Sequence, residues 1–297
     1  MNEGMPSLTA FASSLVRAVH TRTDPQPIFE DPWGDQLVPE EIKISLKAIA
    51  ASALGYERES TLDDWIRGNP FYAALLTRSR YTEDALNAAI SRGVRQYVLV
   101  GAGFDSYVLR RRLEARDVKV YEIDHPATQA LKIERLKSHE MPFADRVQFL
   151  SADLAREELH AVLSRSTFDP SRPAFFSWLG VSMYLTREAN ITALRSIADC
   201  SSSGSELVFT YHDQAFFEPD TTSGAGTVDE MKKFVRSAGE PFISGFDPSE
   251  LPRILSGVGL ELMEDLDDAQ TLRKFDPAGI NNLRAQPLVR IAHVRVR

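Results

Sequence analysis

Two glycines that follow a short apolar run have the type and spacing of residues that bind a ligand through the backbone. The run Gln96–Val100 leads into segment 101–106, in which Gly101, Gly103 and Asp105 precede Ser106. Glycines at such a turn let the backbone approach a ligand closely, and the helix that follows offers free N–H groups. A dinucleotide fingerprint would need a third glycine where Ser106 stands. The motif predicts a nucleotide-like ligand, with a purely structural turn as the alternative.

Acidic residues end the next apolar run, some twenty positions further along the chain. Glu122 and Asp124 flank Ile123 there. A carboxylate at this place can accept hydrogen bonds from both hydroxyls of a ribose. Because side chains alternate along a strand, both carboxylates face the same side and either could do so. A solvated strand end is the alternative.

A third apolar run, 147–150, leads into Asp153 and Leu154. Asp153 could accept a hydrogen bond from an adenine amino group, and Leu154 could supply an apolar wall for the ring. Capping of the helix that contains Glu157 is an alternative role for Asp153.

Strand-like and helix-like segments alternate around these motifs. Short apolar runs lie at 96–100, 118–123, 147–150, 174–179 and 206–211, and helix-like segments lie at 107–115, 127–137, 157–164 and 187–196. This order predicts a mainly parallel sheet covered on both faces, because parallel neighbours need a crossover. Two late runs, 260–263 and 288–294, predict an antiparallel pair at one edge. Such sheets bind ligands beyond the carboxyl ends of their strands.

Composition narrows the class of protein further. The 297 residues suit one large α/β domain, and a formal charge of -8 disfavours nucleic acid as the main partner. Cys200 is the single cysteine, and the six histidines show no paired ligand spacing, so we expect neither a disulfide nor a metal site. Without an apolar signal core or a membrane-spanning run, a cytoplasmic location without membrane contact is expected.

Residues 1–90 show a helical pattern and precede the predicted core at 91–297. Leu8, Phe11, Leu15 and Val19 recur at spacings of three and four. We expect this extension to form a lid of the same domain, and an insertion around 212–250 to complete a substrate pocket. Aromatic residues expected to line it are Phe71, Tyr72, Phe216 and Phe217. The run Arg110-Arg111-Arg112 is expected to be a solvated helix face.

Several of these segments, taken in order, resemble the leucine carboxyl methyltransferase family, and more closely its bacterial branch of S-adenosylmethionine-dependent O-methyltransferases. The similarity is carried by Arg78-Ser79-Arg80-Tyr81, by segments 101–106, 122–126, 152–154 and 178–185, and also by Asp31-Pro32 and Gly239-Glu240-Pro241-Phe242. It implies a Rossmann-like class I methyltransferase fold, whose seven-stranded, mainly parallel sheet has an antiparallel edge strand.

The resemblance also implies S-adenosylmethionine as cofactor and assigns roles to the motif residues. An arginine ahead of the sheet binds the methionine carboxylate, and Arg78 matches it best, with Arg80 as the rival. By the same resemblance, Gly101 and Gly103 line the methionine portion, Asp124 holds the ribose, and Asp153 and Leu154 meet the adenine. A guanidinium fork suits a carboxylate, and an acidic rim suits a sulfonium. Leu179 departs from the family, which often carries a glutamate there, and this puts the acceptor in doubt.

The implied reaction is methyl transfer to a carboxylate or hydroxyl oxygen of a small molecule. A hydroxyl acceptor would gain from a general base, whereas a carboxylate would need only positioning. Tyr184, His212 and Asp213 follow strand-like runs and are the candidates for that base. An NAD-linked oxidoreductase and a catalytically silent nucleotide-binding module are the alternatives.

Overall fold

The computed structural model describes residues 6–53, 62–110, 117–140, 147–154, 156–218, 229, 232, 233, 235, 236, 239–286 and 288–297. Within these ranges, no helix is both long and apolar enough to cross a membrane. Residues 219–228, 230, 231, 234, 237 and 238 of the expected insertion at 212–250, and positions 111 and 112 of the arginine run, lie outside the described residues.

Seven strands form one sheet in the order β3-β2-β1-β4-β5-β7-β6. Their bounds are β1 Gln96–Val100, β2 Lys119–Asp124, β3 Val147–Ser151, β4 Phe175–Trp178, β5 Glu206–His212, β6 Leu260–Asp267 and β7 Val289–Val296. Strands β1 to β5 pair in parallel, while β7 is antiparallel to both β5 and β6. The predicted mainly parallel sheet with an antiparallel edge is confirmed.

Helices precede and connect the strands. Before the sheet come α1 Leu8–Thr23, α2 Gly34–Leu37, α3 Glu40–Ala53, α4 Leu62–Arg67 and α5 Tyr72–Ser91, and after β1 come α6 Tyr107–Arg110, α7 Pro126–Ser138, α8 Leu159–Leu163, α9 Arg187–Asp199, α10 Leu251–Ser256 and α11 Asp268–Phe275. Short 3₁₀ helices span Ser182–Tyr184 and Gln214–Phe217.

Both faces of the sheet are buried, because successive side chains on β1 enter different hydrophobic cores. Val98 and Val100 pack in one core, and Tyr97 and Leu99 pack in another. All five residues of β1 are buried, as parallel strands with covered faces require.

The segment between β6 and β7 contains α11, a helix that the apolar pattern of the sequence does not predict. Asp267 accepts a hydrogen bond from the N–H of Gln270, and the Gln270 side chain accepts one in return from the N–H of Asp267. This reciprocal capping box gives the helix a sharp start that the apolar pattern did not reveal.

The expected solvated face at Arg110 is wrong. The side chain of Arg110 is 8% exposed, and its Nη2 donates to Glu83 at 2.8 Å. Its Nε lies 3.7 Å from the Asp31 carboxylate, which is fully buried. The charge of Arg110 is tolerated inside because two carboxylates face it.

The N-terminal helices pack onto the turn after β1. Phe11 of α1 stacks on Phe104 with ring centroids 4.5 Å apart, and Arg17 donates from Nη2 to the carbonyl of Phe104 at 2.8 Å. Helix α1 therefore lies over the carboxyl ends of the strands, where the site is built.

Candidate active site

A cavity of about 1120 Å³ lies beyond the carboxyl ends of the parallel strands. The strand order reverses between β1 and β4, and open α/β sheets bind ligands at such a reversal. The floor of the cavity includes Gly101, Asp124 and Gly180, while Thr9 and Arg78 come from the N-terminal helices. Pockets for one drug-sized ligand span roughly 300 to 1,000 Å³, so this cavity has room for two reactants.

The glycine turn lines the cavity and has the backbone that its sequence predicts. Gly101 and Gly103 have φ values of +71° and +51°, a region that favours glycine. A Cβ at Gly101 would lie 2.5 Å from Cγ2 of Val181. Asp105 also borders the cavity, and its carboxylate accepts from the N–H of Tyr107 at 2.7 Å, which orders the start of α6.

Asp124 lies at the end of β2 with its carboxylate at the cavity wall. Oδ2 accepts from the N–H of Gly103 at 2.5 Å, and Oδ1 accepts from the N–H of His125 at 2.6 Å. Burial raises the pKa of Asp124, against the two backbone donors. Each oxygen keeps a further lone pair, so this carboxylate can accept from two ligand hydroxyls.

Glu122 does not reach the cavity, although it shares a sheet face with Asp124. Its Oε2 accepts from Nζ of Lys132 on α7 at 2.5 Å, and both side chains are 1% exposed. Burial raises the pKa of Glu122 to about 7, against the opposing effect of Lys132. The sequence placed both carboxylates on one face, but helix α7 covers Glu122 and leaves Asp124 as the ribose candidate.

Asp153 and Leu154 both border the cavity beyond β3. Leu154 is 37% exposed, which is unusual for a large apolar side chain in this protein. Helix α8 begins at Leu159, and Glu158 is its N-cap residue. Asp153 therefore does not cap this helix, which was the alternative role considered for it.

The two candidate arginines of α5 have different surroundings. Arg78 lies on the cavity wall, and its one hydrogen bond to a described residue runs from Nη2 to Ser13 Oγ at 3.4 Å. Burial, assisted by Arg17, lowers the pKa of Arg78 to about 10, so the guanidinium is still cationic at neutral pH. Arg80 lies outside the cavity, half exposed and paired with Asp84 at 3.0 Å. Of the two, only Arg78 can meet a ligand there.

His212 ends β5 and lines the cavity while being 2% exposed. Its Nδ1 has no hydrogen-bond partner among the described residues. Phenylalanines surround the ring, with Phe216 at 4.2 Å and Phe242 at 4.8 Å between centroids. Burial, with Lys232 and Arg78 adding repulsion, lowers the pKa of His212 to about 3. The imidazole is therefore neutral at physiological pH and can accept a hydrogen bond.

The other two base candidates differ from His212. Tyr184 lines the cavity and stacks on Phe242 at 5.6 Å, but burial raises its pKa to about 12, so it keeps its proton at neutral pH. Asp213 is not on the cavity wall, and its carboxylate accepts from the N–H of Ala215 at 3.0 Å as the cap of a 3₁₀ helix.

One of the four aromatic residues expected in the pocket lines it. Phe71 does so, whereas Tyr72 donates its hydroxyl to Asp24 at 3.0 Å in the core. Phe216 and Phe217 lie behind His212, not on the cavity wall.

Several wall residues had no predicted role. Gly180 follows β4 with φ +69°, and a Cβ there would lie 2.8 Å from Nη1 of Arg78. A glycine directly after an apolar strand is a signal that could have identified it. Trp65, Leu75 and Ile243 carry no local signal of a site, whereas Met183, Glu240 and Phe242 belong to segments that carry the family resemblance but had no role assigned to them.

A mainly parallel sheet of seven strands in the order β3-β2-β1-β4-β5-β7-β6, with β7 antiparallel to both of its neighbours, is the fold of the class I, Rossmann-like methyltransferases. The family model for leucine carboxyl methyltransferase matches residues 10–198, which is more than half of the chain. The chain belongs to the leucine carboxyl methyltransferase family.

Relatives agree with this assignment. The chain is 31% identical over 304 aligned residues to a Bacillus subtilis protein named "Putative S-adenosyl-L-methionine-dependent methyltransferase YktD", covering 99% of each. It is 34% identical to a similarly named protein of Mycolicibacterium vanbaalenii over 67% of this chain and 65% of the other. A crystal structure titled as a putative methyltransferase from Thermobifida fusca YX shares the fold, with a TM-score of 0.59, 16% identity and coverage of 100% and 97%.

The protein is an S-adenosylmethionine-dependent methyltransferase. This family membership sets aside the NAD-linked oxidoreductase and the silent binding module that the glycine turn left open. The described residues also fit the cofactor, since a guanidinium without a carboxylate partner and a carboxylate with free lone pairs face one cavity.

Proposed function

We propose that this protein methylates a hydroxyl oxygen on an apolar, ring-containing small molecule, with His212 as the residue that accepts the hydroxyl proton. The observation that carries this proposal is the buried imidazole of His212, which lines the cavity with Nδ1 unpartnered among the described residues.

The cofactor would occupy the part of the cavity above β1 and β2. Arg78 would bind the methionine carboxylate, Asp124 the ribose hydroxyls, and Asp153 with Leu154 the adenine. Gly101 and Gly103 would let the backbone approach the methionine portion. When bound there, S-adenosylmethionine supplies a methyl group that its sulfonium makes electrophilic.

The acceptor would occupy the remaining part of the cavity, next to β4 and β5. Its walls are mostly apolar or aromatic, and they are built by Trp65, Phe71, Leu75, Met183, Phe242 and Ile243. Aromatic walls of this kind suit a flat apolar ring, because ring faces and edges pack well against one another.

His212 would hold the acceptor hydroxyl and receive its proton. With a pKa of about 3, its imidazole is neutral over the physiological range and can accept a hydrogen bond from the hydroxyl. A hydroxyl does not release its proton to so weak a base beforehand. The hydroxyl proton becomes far more acidic as the oxygen gains its new bond to carbon, so His212 receives it late in the reaction.

Charge on the cavity wall argues against a carboxylate acceptor. Among the described residues, the arginines there are Arg17, Arg78 and Arg156. Arg17 is paired with Asp31 at 2.8 Å, Arg78 is assigned to the cofactor, and Arg156 lies at the rim beside Asp153, 72% exposed. None of them is left to hold a second carboxylate beside His212.

Tyr184 would contribute as a wall and a hydrogen-bond donor, not as a base, because it keeps its proton. Helices α1 to α5, which belong to the N-terminal extension predicted at residues 1–90, would form the cover over both reactants, as part of the same domain as the sheet. Such a cover excludes water and holds the reactants in line.

The test uses matched pairs of acceptors that share a ring, such as a naphthol and the corresponding naphthoic acid, with labelled S-adenosylmethionine. We expect the labelled methyl group on the hydroxyl-containing acceptor of each pair alone.

His212→Ala should lower the rate of methyl transfer about 100-fold or more, while its affinity for S-adenosylhomocysteine is unchanged. His139→Ala, at an exposed histidine that ends α7, is the control and should keep the full rate. Methyl ester formation on the acids, or an unchanged rate in His212→Ala, would contradict the proposal.

A further inference from the structure

A buried carboxylate lies on the cavity wall without a basic partner among the described residues. Glu240 is 7% exposed and borders the cavity, in the described segment 239–250 that precedes α10. Its Oε2 accepts from the hydroxyl of Thr9 at 2.6 Å and from the N–H of Thr9 at 3.2 Å. No described lysine, arginine or histidine pairs with it, and Oε1 accepts no hydrogen bond from a described residue.

A buried carboxylate without a cation is costly unless something else neutralises it. The first turn of α1 supplies part of that compensation, since Thr9 presents its N–H near the positive end of the helix. The compensation is partial, because both Thr9 bonds go to one oxygen and the other is left for a ligand. The missing partner is therefore a cation or donor that enters the cavity.

The position of Glu240 relative to Arg78 indicates which cation that is. Both residues contact the first turns of α1, because Glu240 accepts from Thr9 at 2.6 Å and Arg78 donates to Ser13 Oγ at 3.4 Å, and the Ser13 hydroxyl itself donates to the carbonyl of Thr9 at 2.9 Å. Arg78 and Glu240 make no ion pair with each other, so a gap separates two opposite charges on one wall. A zwitterionic amino-acid group has the complementary pair of charges.

We propose that Glu240 binds the α-ammonium group of the cofactor while Arg78 binds its α-carboxylate, so that the two residues clamp the amino-acid end. This rests on the cofactor placement given under the proposed function. The clamp residues come from α5 and from the segment after α9 and β5, and neither belongs to a strand of the sheet.

The clamp also gives a physical account of Leu179. This side chain lines the cavity after β4, at the place where the resemblance leads one to expect a glutamate. The Glu240 carboxylate supplies negative charge to the same cavity from another segment of the chain, so an apolar residue after β4 still leaves the cofactor with a counter-charge.

The experiment is calorimetric binding of two ligands without any acceptor. S-adenosylhomocysteine has the amino-acid end, whereas 5′-methylthioadenosine has the same nucleoside and thioether without it. Glu240→Gln keeps an oxygen for Thr9 and removes the charge. We expect it to weaken S-adenosylhomocysteine binding about 10- to 100-fold and to change 5′-methylthioadenosine binding less than about twofold.

The control variant is Glu158→Gln, which removes an equal charge from an exposed residue at the cavity rim. It should leave the ratio of the two affinities unchanged. A Glu240→Gln variant with unaltered S-adenosylhomocysteine affinity overturns the clamp, and so does an equal loss for both ligands, which would make Glu240 a support for α1 alone. If the wild-type protein binds neither ligand, the proposed function fails instead.

Discussion

The guanidinium of Arg78 lies directly against the backbone of Gly180. A Cβ added at Gly180 would come within 2.8 Å of Nη1 and 3.0 Å of Nη2, and the residue has a φ of +69°. A glycine after β4 thus leaves the space in which an arginine of α5 reaches the cavity. Helix α5 and strand β4 are joined at this point into one binding wall.

Gly180→Ala should therefore impair cofactor binding as well as stability. The left-handed backbone costs a non-glycine residue about 1 to 2 kcal/mol, and the methyl group would displace the guanidinium. We expect weaker S-adenosylhomocysteine binding by calorimetry and a lower midpoint in urea. Gly204→Ala is the control, since Gly204 has φ +82° with nothing within 4 Å. It should lose stability only, and an equal loss of affinity in both variants would refute the contact.

Substitutions at Asp124 and at Glu122 should have different effects. The first should lower the affinity for the cofactor, and the second should lower the free energy of unfolding. Asp124→Ala removes a charged acceptor from the cavity wall, which is worth about 10- to 100-fold in cofactor affinity. Glu122→Leu leaves the buried ammonium of Lys132 without the acceptor that lies 2.5 Å away in the wild type, which costs about 3 to 5 kcal/mol of stability. Calorimetry and urea denaturation of both variants check this. The assignment is wrong if folded Asp124→Ala keeps wild-type affinity.

His212 should make the free energy of unfolding depend on pH. Its pKa is about 6.5 in the unfolded chain and about 3 in the folded protein. Between these values the unfolded state binds a proton that the folded state does not, so stability is full above pH 6.5 and falls as the pH falls. From pH 7 to pH 5, the wild type should lose about 2 kcal/mol more than His212→Gln. Parallel urea titrations at both pH values measure this, and identical losses would disprove the depressed pKa.

The sequence predicted those parts of the site that are marked by a pattern in the residues immediately next to them. Gly101 and Gly103 follow an apolar run, and Asp124 ends the next one, so periodicity alone places them at the carboxyl edge of a sheet. The mainly parallel sheet and its antiparallel edge follow from the same alternation of strands and helices, together with the resemblance, whereas the strand order was not predicted.

The parts that sequence reasoning missed depend on contacts between distant segments. Alternation places Glu122 beside Asp124 correctly, but the Lys132 side chain that covers Glu122 comes from the following helix. Glu240 belongs to a recognised motif, yet its contact with Thr9 spans 231 positions of the chain. Three consecutive arginines predict a solvent-exposed helix face. The prediction is wrong for Arg110, because the carboxylates of Glu83 and Asp31 that compensate its buried charge lie far away in sequence.

Asp31 should prove to be the residue that fixes the N-terminal cover to the glycine turn. Its fully buried carboxylate accepts from Nε of Arg17 at 2.8 Å and from Oγ of Ser106 at 2.6 Å. Burial alone would raise the pKa of Asp31, but Arg17 and Arg110 hold it below its ordinary value.

Asp31→Asn would leave two buried guanidinium groups short of negative charge, and we expect a loss of about 3 to 5 kcal/mol in the free energy of unfolding. Asp35→Asn is the matched control, because Asp35 is 38% exposed and its partner Arg22 keeps a second carboxylate on Asp63. It should cost at most about 1 kcal/mol.

Since the pKa of Asp31 is depressed, the difference in the free energy of unfolding between the wild type and Asp31→Asn should shrink as the pH falls below about 4, where the unfolded carboxyl takes up its proton. Urea denaturation across that range measures it, and a constant difference would show that Asp31 acts through its shape and not through its charge.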